Sequence, residues 1–152
     1  MNILLIIGRL AFAAIFIFSG ANKLMDIGGT AAFVSSKVVL PAALAGLTAQ
    51  LETATGMTTP QLLAIAAGVV ELVGGLMIVA NIGTRVAAIA LIVFTAGATF
   101  WFHDFWNQTG PEQQNNMAHA LKNLSLIGAL IVFFVIGAWR PEANVEQTEP
   151  HL

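Results

Sequence analysis

The chain has 152 residues, of which 57% are hydrophobic and only 9% charged, where an ordinary soluble domain carries about 25% charged residues. Together with a mean hydropathy of +0.82, this excludes a water-soluble globular fold, which would leave too much apolar surface in water. A net charge of −2 without a basic patch speaks against nucleic acid as a partner, and the absence of cysteine removes disulfides, thiolate metal sites and thiol redox chemistry from the chain itself.

A helix needs about 20 largely apolar residues to cross a bilayer. Four stretches qualify, at 3–24, 61–80, 86–102 and 117–139. They are too long and too evenly apolar for the strands of an outer-membrane barrel. The expectation is therefore an all-α integral membrane protein, a four-transmembrane-helix bundle forming a single domain over residues 1–140. The first span lacks a basic n-region and carries Arg9 within its apolar run, so it reads as a retained helix and not as a cleaved signal peptide.

The first loop, 25–60, is too long for a simple turn. Within it Leu40, Leu44, Leu47 and Leu51 recur at helical spacing, and Pro41 suits a first turn. A short amphipathic helix on the membrane surface is one reading, and a lid over a site between the spans is the other. The second connection, Asn81–Arg85, is tight, with Gly83 as the helix stop. Asn107–Asn116 reads as a polar loop, and 141–152 as a polar acidic tail. Arg9, Arg85 and Arg140 fall at the N-terminal end, the tight connection and the tail, and the third loop has no Lys or Arg. This charge pattern places both termini on the cytoplasmic side.

Ionisable side chains inside a membrane are expensive; they face the protein interior, pair with one another, or mark a pathway. In span one, Arg9, Ala13, Phe16, Gly20 and Lys23 form one stripe. In span two, Ala64, Ala67, Gly68, Glu71, Gly74 and Gly75 share a face, so the carboxylate sits among small residues that let helices approach closely. Ile92, Thr95, Ala96, Thr99 and His103 form a polar stripe in span three, as do His119, Lys122, Ser125, Leu126 and Ala129 in span four. All four spans can thus turn polar groups to a common interior. Arg9, Glu71 and Lys122 are candidates for a structural ion pair, since both long cations could reach the carboxylate, and snorkelling to the interface is the alternative for Lys23 and Lys122. His103 and His119 lack metal-ligand spacing and no carboxylate or cysteine cluster completes a site, so no metal is expected. Trp101 and Trp106 belong first to an interfacial aromatic belt; with His103 they also suit contact with a quinone ring. No catalytic constellation and no cofactor motif is visible.

The segments "IFIFSGANKLMD" (15–26), "ELVGGLMIVANIGTRVAA" (71–88), "TFWFHDFW" (99–106) and "LKNLSLIGAL" (121–130) together resemble the DoxX family of small four-helix bacterial membrane proteins. The likeness runs from the first span through the fourth; the extended first loop and the acidic tail depart from it. The resemblance implies a bacterial inner-membrane location and points to Lys23, Glu71, Arg85, His103, Lys122 and Asn123 as the positions to examine. Some relatives, the DoxD-type subunits, belong to thiosulfate:quinone oxidoreductases, and others are associated with membrane redox-stress complexes. Two functions follow as expectations. One is a non-catalytic accessory subunit or scaffold of a larger membrane complex, with the bilayer and other membrane subunits as partners. The other is a quinone-interacting subunit of a membrane oxidoreductase, built on Lys23, Glu71, His103, Lys122, Asn123, Trp101 and Trp106.

Overall fold

The computed structural model describes residues 3–137. Six α-helices follow in order, α1 (Ile3–Met25), α2 (Ile27–Lys37), α3 (Ala45–Thr55), α4 (Thr59–Ala80), α5 (Thr84–Phe102) and α6 (Gly110–Ile136). There is no strand among the described residues. α1, α4, α5 and α6 are each long and apolar enough to cross a membrane, which gives the four-span, all-α architecture. The acidic tail, Arg140 and the end of the fourth span at Trp139 lie outside the described residues.

Local chemistry sets the helix ends. α4 starts with Pro60 in its first turn, and the Gln61 side chain reaches back to the Thr58 amide at 2.9 Å. It ends on Asn81 in the left-handed region (φ 56°), while Gly83 (φ 57°) caps the start of α5. The stop expected at Gly83 is therefore made by Asn81, whose short polar side chain tolerates that conformation. α6 begins at Gly110, well before the apolar run, with Pro111 in its first turn. The polar segment expected to be a loop is in large part the first turns of that helix.

α1 and α4 pack antiparallel through small residues. A Cβ on Gly20 would lie 2.5 Å from the Leu72 amide nitrogen and 2.7 Å from the Gly68 carbonyl oxygen, so the two backbones touch there. Gly75 faces Ile17 in the same way, and Gly74 receives Leu91 of α5. The buried residues of α1 are Arg9, Ala13, Phe16 and Gly20, and those of α4 include Ala64, Gly68, Glu71, Gly74 and Gly75. These are the faces the sequence spacing assigns.

The apolar core comprises Ala13, Phe16, Ile78, Ala87, Ala88, Leu91 and Leu130. Most of it lies toward the end of the bundle where α1 and α5 begin and α4 and α6 finish. The opposite end is arranged differently. α1 stops at Met25, with Leu24 against Gly68. α2 then takes over α1's place along the first turns of α4, burying Ala31 and Val34. α2 falls within the stretch expected as the first loop, 25–60. Its start is made by Asp26, whose side chain accepts from the Gly29 amide at 2.8 Å. α3 does form on the leucine-rich stretch, but none of its residues is buried.

The contact at Gly20 generates a direct test. Gly20→Ala forces a methyl group against the backbone of α4 and should destabilise the protein by about 1–3 kcal/mol. Gly128→Ala, at an exposed position where a Cβ meets nothing within 4 Å, should leave stability unchanged or raise it slightly. Thermal unfolding in mild detergent compares the two; equal melting temperatures would contradict the close approach.

Candidate functional site

Gly20 and Gly68 each stand one helical turn before a charged residue, Lys23 on α1 and Glu71 on α4. The helices are antiparallel, so Glu71 stands level with Gly20 and Lys23 level with Gly68, and the long lysine side chain reaches back along α1 to the carboxylate. Lys23 Nζ lies 2.6 Å from Glu71 Oε2 and donates to Ser19 Oγ at 2.5 Å. The carboxylate side chain is 6% exposed and the lysine 27%, so the pair is buried on the acid's side and partly open on the base's. Glu71 sits about 18 Å along α4 from Thr59 at 1.5 Å per residue, near mid-helix, where an unpaired charge is least tolerable.

This corrects the expected pairings. Neither Arg9 nor Lys122 meets Glu71. Arg9, 5% exposed, sends Nη1 to the Ile78 carbonyl at 2.8 Å and lies 5.2 Å from the centre of the Phe133 ring. Arg9 therefore binds the last turn of α4, where the helix dipole favours a cation. Arg85 does the same work for α6, with Nε donating to the Phe134 carbonyl at 3.3 Å and the guanidinium 5.6 Å from its ring.

Around Lys23 and Glu71 the helices leave a cavity of about 250 Å³. Ser19, Lys23, Glu71, Thr95, His103, Lys122 and Asn123 supply its polar wall, and Phe16, Phe33, Phe94 and Phe102 its apolar one. Asn123, buried on α6, donates from Nδ2 to Thr99 Oγ1 at 2.9 Å, and Thr99 in turn donates to the Thr95 carbonyl at 2.7 Å. The Thr95 hydroxyl itself is buried with no hydrogen-bond partner among the described residues. Lys122 is exposed and lines the cavity edge. The inward face of α6 thus runs through Ala120, Asn123 and Leu130, one residue round from the expected stripe. Ser125, expected inside, is exposed and bonds its own helix at the Leu121 carbonyl.

α2 closes one side of the cavity. Thr30, Phe33 and Val34 line it, and the Phe33 ring stacks on Phe102 of α5 with centres 5.1 Å apart. The lid-like element is α2 and not the leucine-rich helix α3. Beside the cavity lies a second, almost wholly apolar groove of about 570 Å³, lined among others by Leu63, Val70, Val93 and Trp101. The cavity and the groove share Val34, Ala67, Phe94, Ala98 and Phe102 as a common wall. Trp101 therefore belongs to the groove, and Trp106 to an exposed aromatic cluster with Phe100 and Phe105. Neither indole lines the polar cavity. Of the phenylalanines that do, Phe16 lies on the stripe the spacing assigns to span one, while nothing in the sequence distinguishes Phe33, Phe94 and Phe102 from lipid-facing ones.

His103 caps the C-terminus of α5 and lines the cavity. Its ring stacks on His119 of α6, with centres 4.9 Å apart and planes at 17°. The cavity so assembled offers donors on Lys122 and on the second N–H of Asn123, and an acceptor or donor on Thr95. The Lys23–Glu71 pair is internally neutral.

Removing one partner of such a pair leaves an uncompensated charge, while removing both does not. Lys23→Met and Glu71→Gln should each destabilise by about 2–4 kcal/mol, and the double variant by clearly less than their sum. Equilibrium unfolding in detergent measures all four proteins, and strictly additive losses would contradict the pairing.

The DoxX family profile matches residues 4–104. The chain is also 31% identical over 135 residues to the inner membrane protein YphA of Escherichia coli (strain K12), covering 89% of this chain and 84% of that one. No solved structure matches.

Proposed function

The chain belongs to the DoxX family, and we propose that it holds the headgroup of a membrane-borne, quinone-class ligand in the cavity between its spans, as the quinone-interacting subunit of a membrane oxidoreductase. It is a multi-pass inner-membrane protein, in keeping with its four apolar spans and its YphA relative; both termini are proposed to lie on the cytoplasmic side, from the placement of Arg9, Arg85 and Arg140.

One observation carries the ligand reading. A small polar cavity shares a wall with a larger groove that is almost wholly apolar. A ring with two oxygens and a hydrocarbon tail needs those two environments side by side. A volume of about 250 Å³ suits one substituted ring, given that a dry cavity of about 150 Å³ accommodates benzene. Lys122 and the free N–H of Asn123 are placed to donate to a ring carbonyl, and Phe33, Phe94 and Phe102 to flank the ring. Entry would come from the bilayer through the shared wall, so the ligand never crosses water.

The accessory-subunit reading rests on a different region. α3 buries none of its residues, and Leu47 and Leu51 on it, with Leu44 just before it, stay exposed. Such a helix is suited to lie against a partner subunit, and the two readings are compatible.

Purification in mild detergent followed by lipid extraction and mass spectrometry should recover quinone at close to one per chain. Lys122→Met should reduce the amount retained several-fold without changing the melting temperature. Quinone at the level of bulk membrane carry-over, equal in both proteins, would contradict the ligand reading. Migration without any companion subunit would count against the accessory one.

A further inference from the structure

His103 touches the cavity on one side and a chain of three side chains on the other. Its Nδ1 lies 3.0 Å from Asn116 Oδ1. Asn116 Nδ2 donates to Gln108 Oε1 at 2.7 Å and to the Glu112 carbonyl at 3.3 Å. Gln108 Nε2 donates to Asp104 Oδ1 at 2.8 Å. Asp104, Gln108 and Asn116 do not line the cavity.

The direction of this chain is dictated from its far end. An ionised carboxylate only accepts, so Asp104 must face the NH₂ end of Gln108. That turns Gln108 Oε1 toward Asn116, and an amide oxygen also only accepts. Asn116 must answer with its own NH₂, which the Glu112 carbonyl independently requires. What remains for the histidine is Asn116 Oδ1, an acceptor, so the ring nitrogen facing it must carry hydrogen. A neutral imidazole has one N–H. With that hydrogen on Nδ1, Nε2 keeps its lone pair. The stacked His119 ring holds the plane of His103 in place.

We propose that Asp104, Gln108 and Asn116 are positioning residues that fix His103 as the Nδ1–H tautomer, making Nε2 a hydrogen-bond acceptor for a cavity ligand bearing a ring hydroxyl, the hydroquinone class. The ligand half of this inference rests on the function proposed above. It adds a ring-nitrogen acceptor to a wall whose one unpaired charged group among the described residues, Lys122, only donates. Lys122 and Asn123 donate, and Glu71 is taken up by Lys23. A ring hydroxyl therefore finds in His103 Nε2 an acceptor not already engaged by a salt bridge, while a ring carbonyl is served by the donors. The interaction is an O–H···N hydrogen bond and involves no transfer of electrons.

Nitrogen NMR of the full-length protein in lipid nanodiscs, with ¹⁵N-labelled histidine, tests it at a pH above the ordinary histidine range. His103→Gln identifies the signals. The wild-type ring should show a pyrrole-type Nδ1 and a pyridine-type Nε2. Asn116→Leu should move most of the population to the Nε2–H form that free imidazole prefers, and Gln108→Met, one link further out, should give a mixture. A wild-type Nε2–H ring, or a tautomer unchanged in both variants, overturns the positioning role whatever the ligand does. Saturating short-chain hydroquinone should then shift wild-type Nε2. An Nδ1–H ring whose Nε2 does not respond overturns the hydroquinone assignment while the positioning chain stands.

Discussion

A charged side chain at the centre of a bilayer costs about 2.5–3.5 kcal/mol on insertion scales, and Glu71 stands near the middle of a bilayer-length helix. Its neutralisation by Lys23 is the constraint from which the rest of the structure follows. The pair can close only because Gly20 and Gly68, one turn earlier on each helix, let the backbones meet. α1 has then spent its length by Met25, and the first turns of α4 need another cover. α2 provides it, and in doing so it encloses the polar groups of the opposite helices. The ion pair, the close helix contact and the roofed cavity are three aspects of one packing solution.

The two ends of the bundle divide the labour. Toward one end, Arg9 and Arg85 bind carbonyls in the last turns of α4 and α6 and lie over Phe133 and Phe134. Those contacts tie the helices around the apolar core of Ile78, Leu91 and Leu130. Among the described residues neither arginine meets a carboxylate, and helix dipoles and aromatic faces hold their charges. Toward the other end the packing is looser and more polar, with the cavity, the stacked histidines and the amide chain that begins at Asp104.

The faces of α1 and α4 were legible because small residues and charges recur there at three- and four-residue spacing, a pattern that only an interhelical contact explains. The four-span fold was legible from length and hydropathy. Less could be read where polarity and burial part company. On α6, Lys122 drew the inward face to itself, whereas the buried polar residue is Asn123, held by Thr99. The partner of Glu71 is not legible because Lys23, at the very end of the first span, has the interface as an equal alternative, and only the structure shows its side chain turning back along α1 to the carboxylate. α2 was missed because "IGGTAAFVSSK" has two glycines and little amphipathic contrast; its one readable signal was Asp26, in capping position before them. The amide chain to His103 crosses from the end of α5 into α6 and leaves no periodic trace in the sequence.

The central claim is that Glu71 is ionised in the membrane because Lys23 is beside it. Infrared difference spectroscopy of wild type against Glu71→Gln, in lipid bilayers, reads that state directly. The account predicts that the substitution removes a carboxylate stretching band, and that in Lys23→Met the same residue shows the carbonyl band of a protonated acid. A protonated Glu71 band already present in the wild type would contradict it.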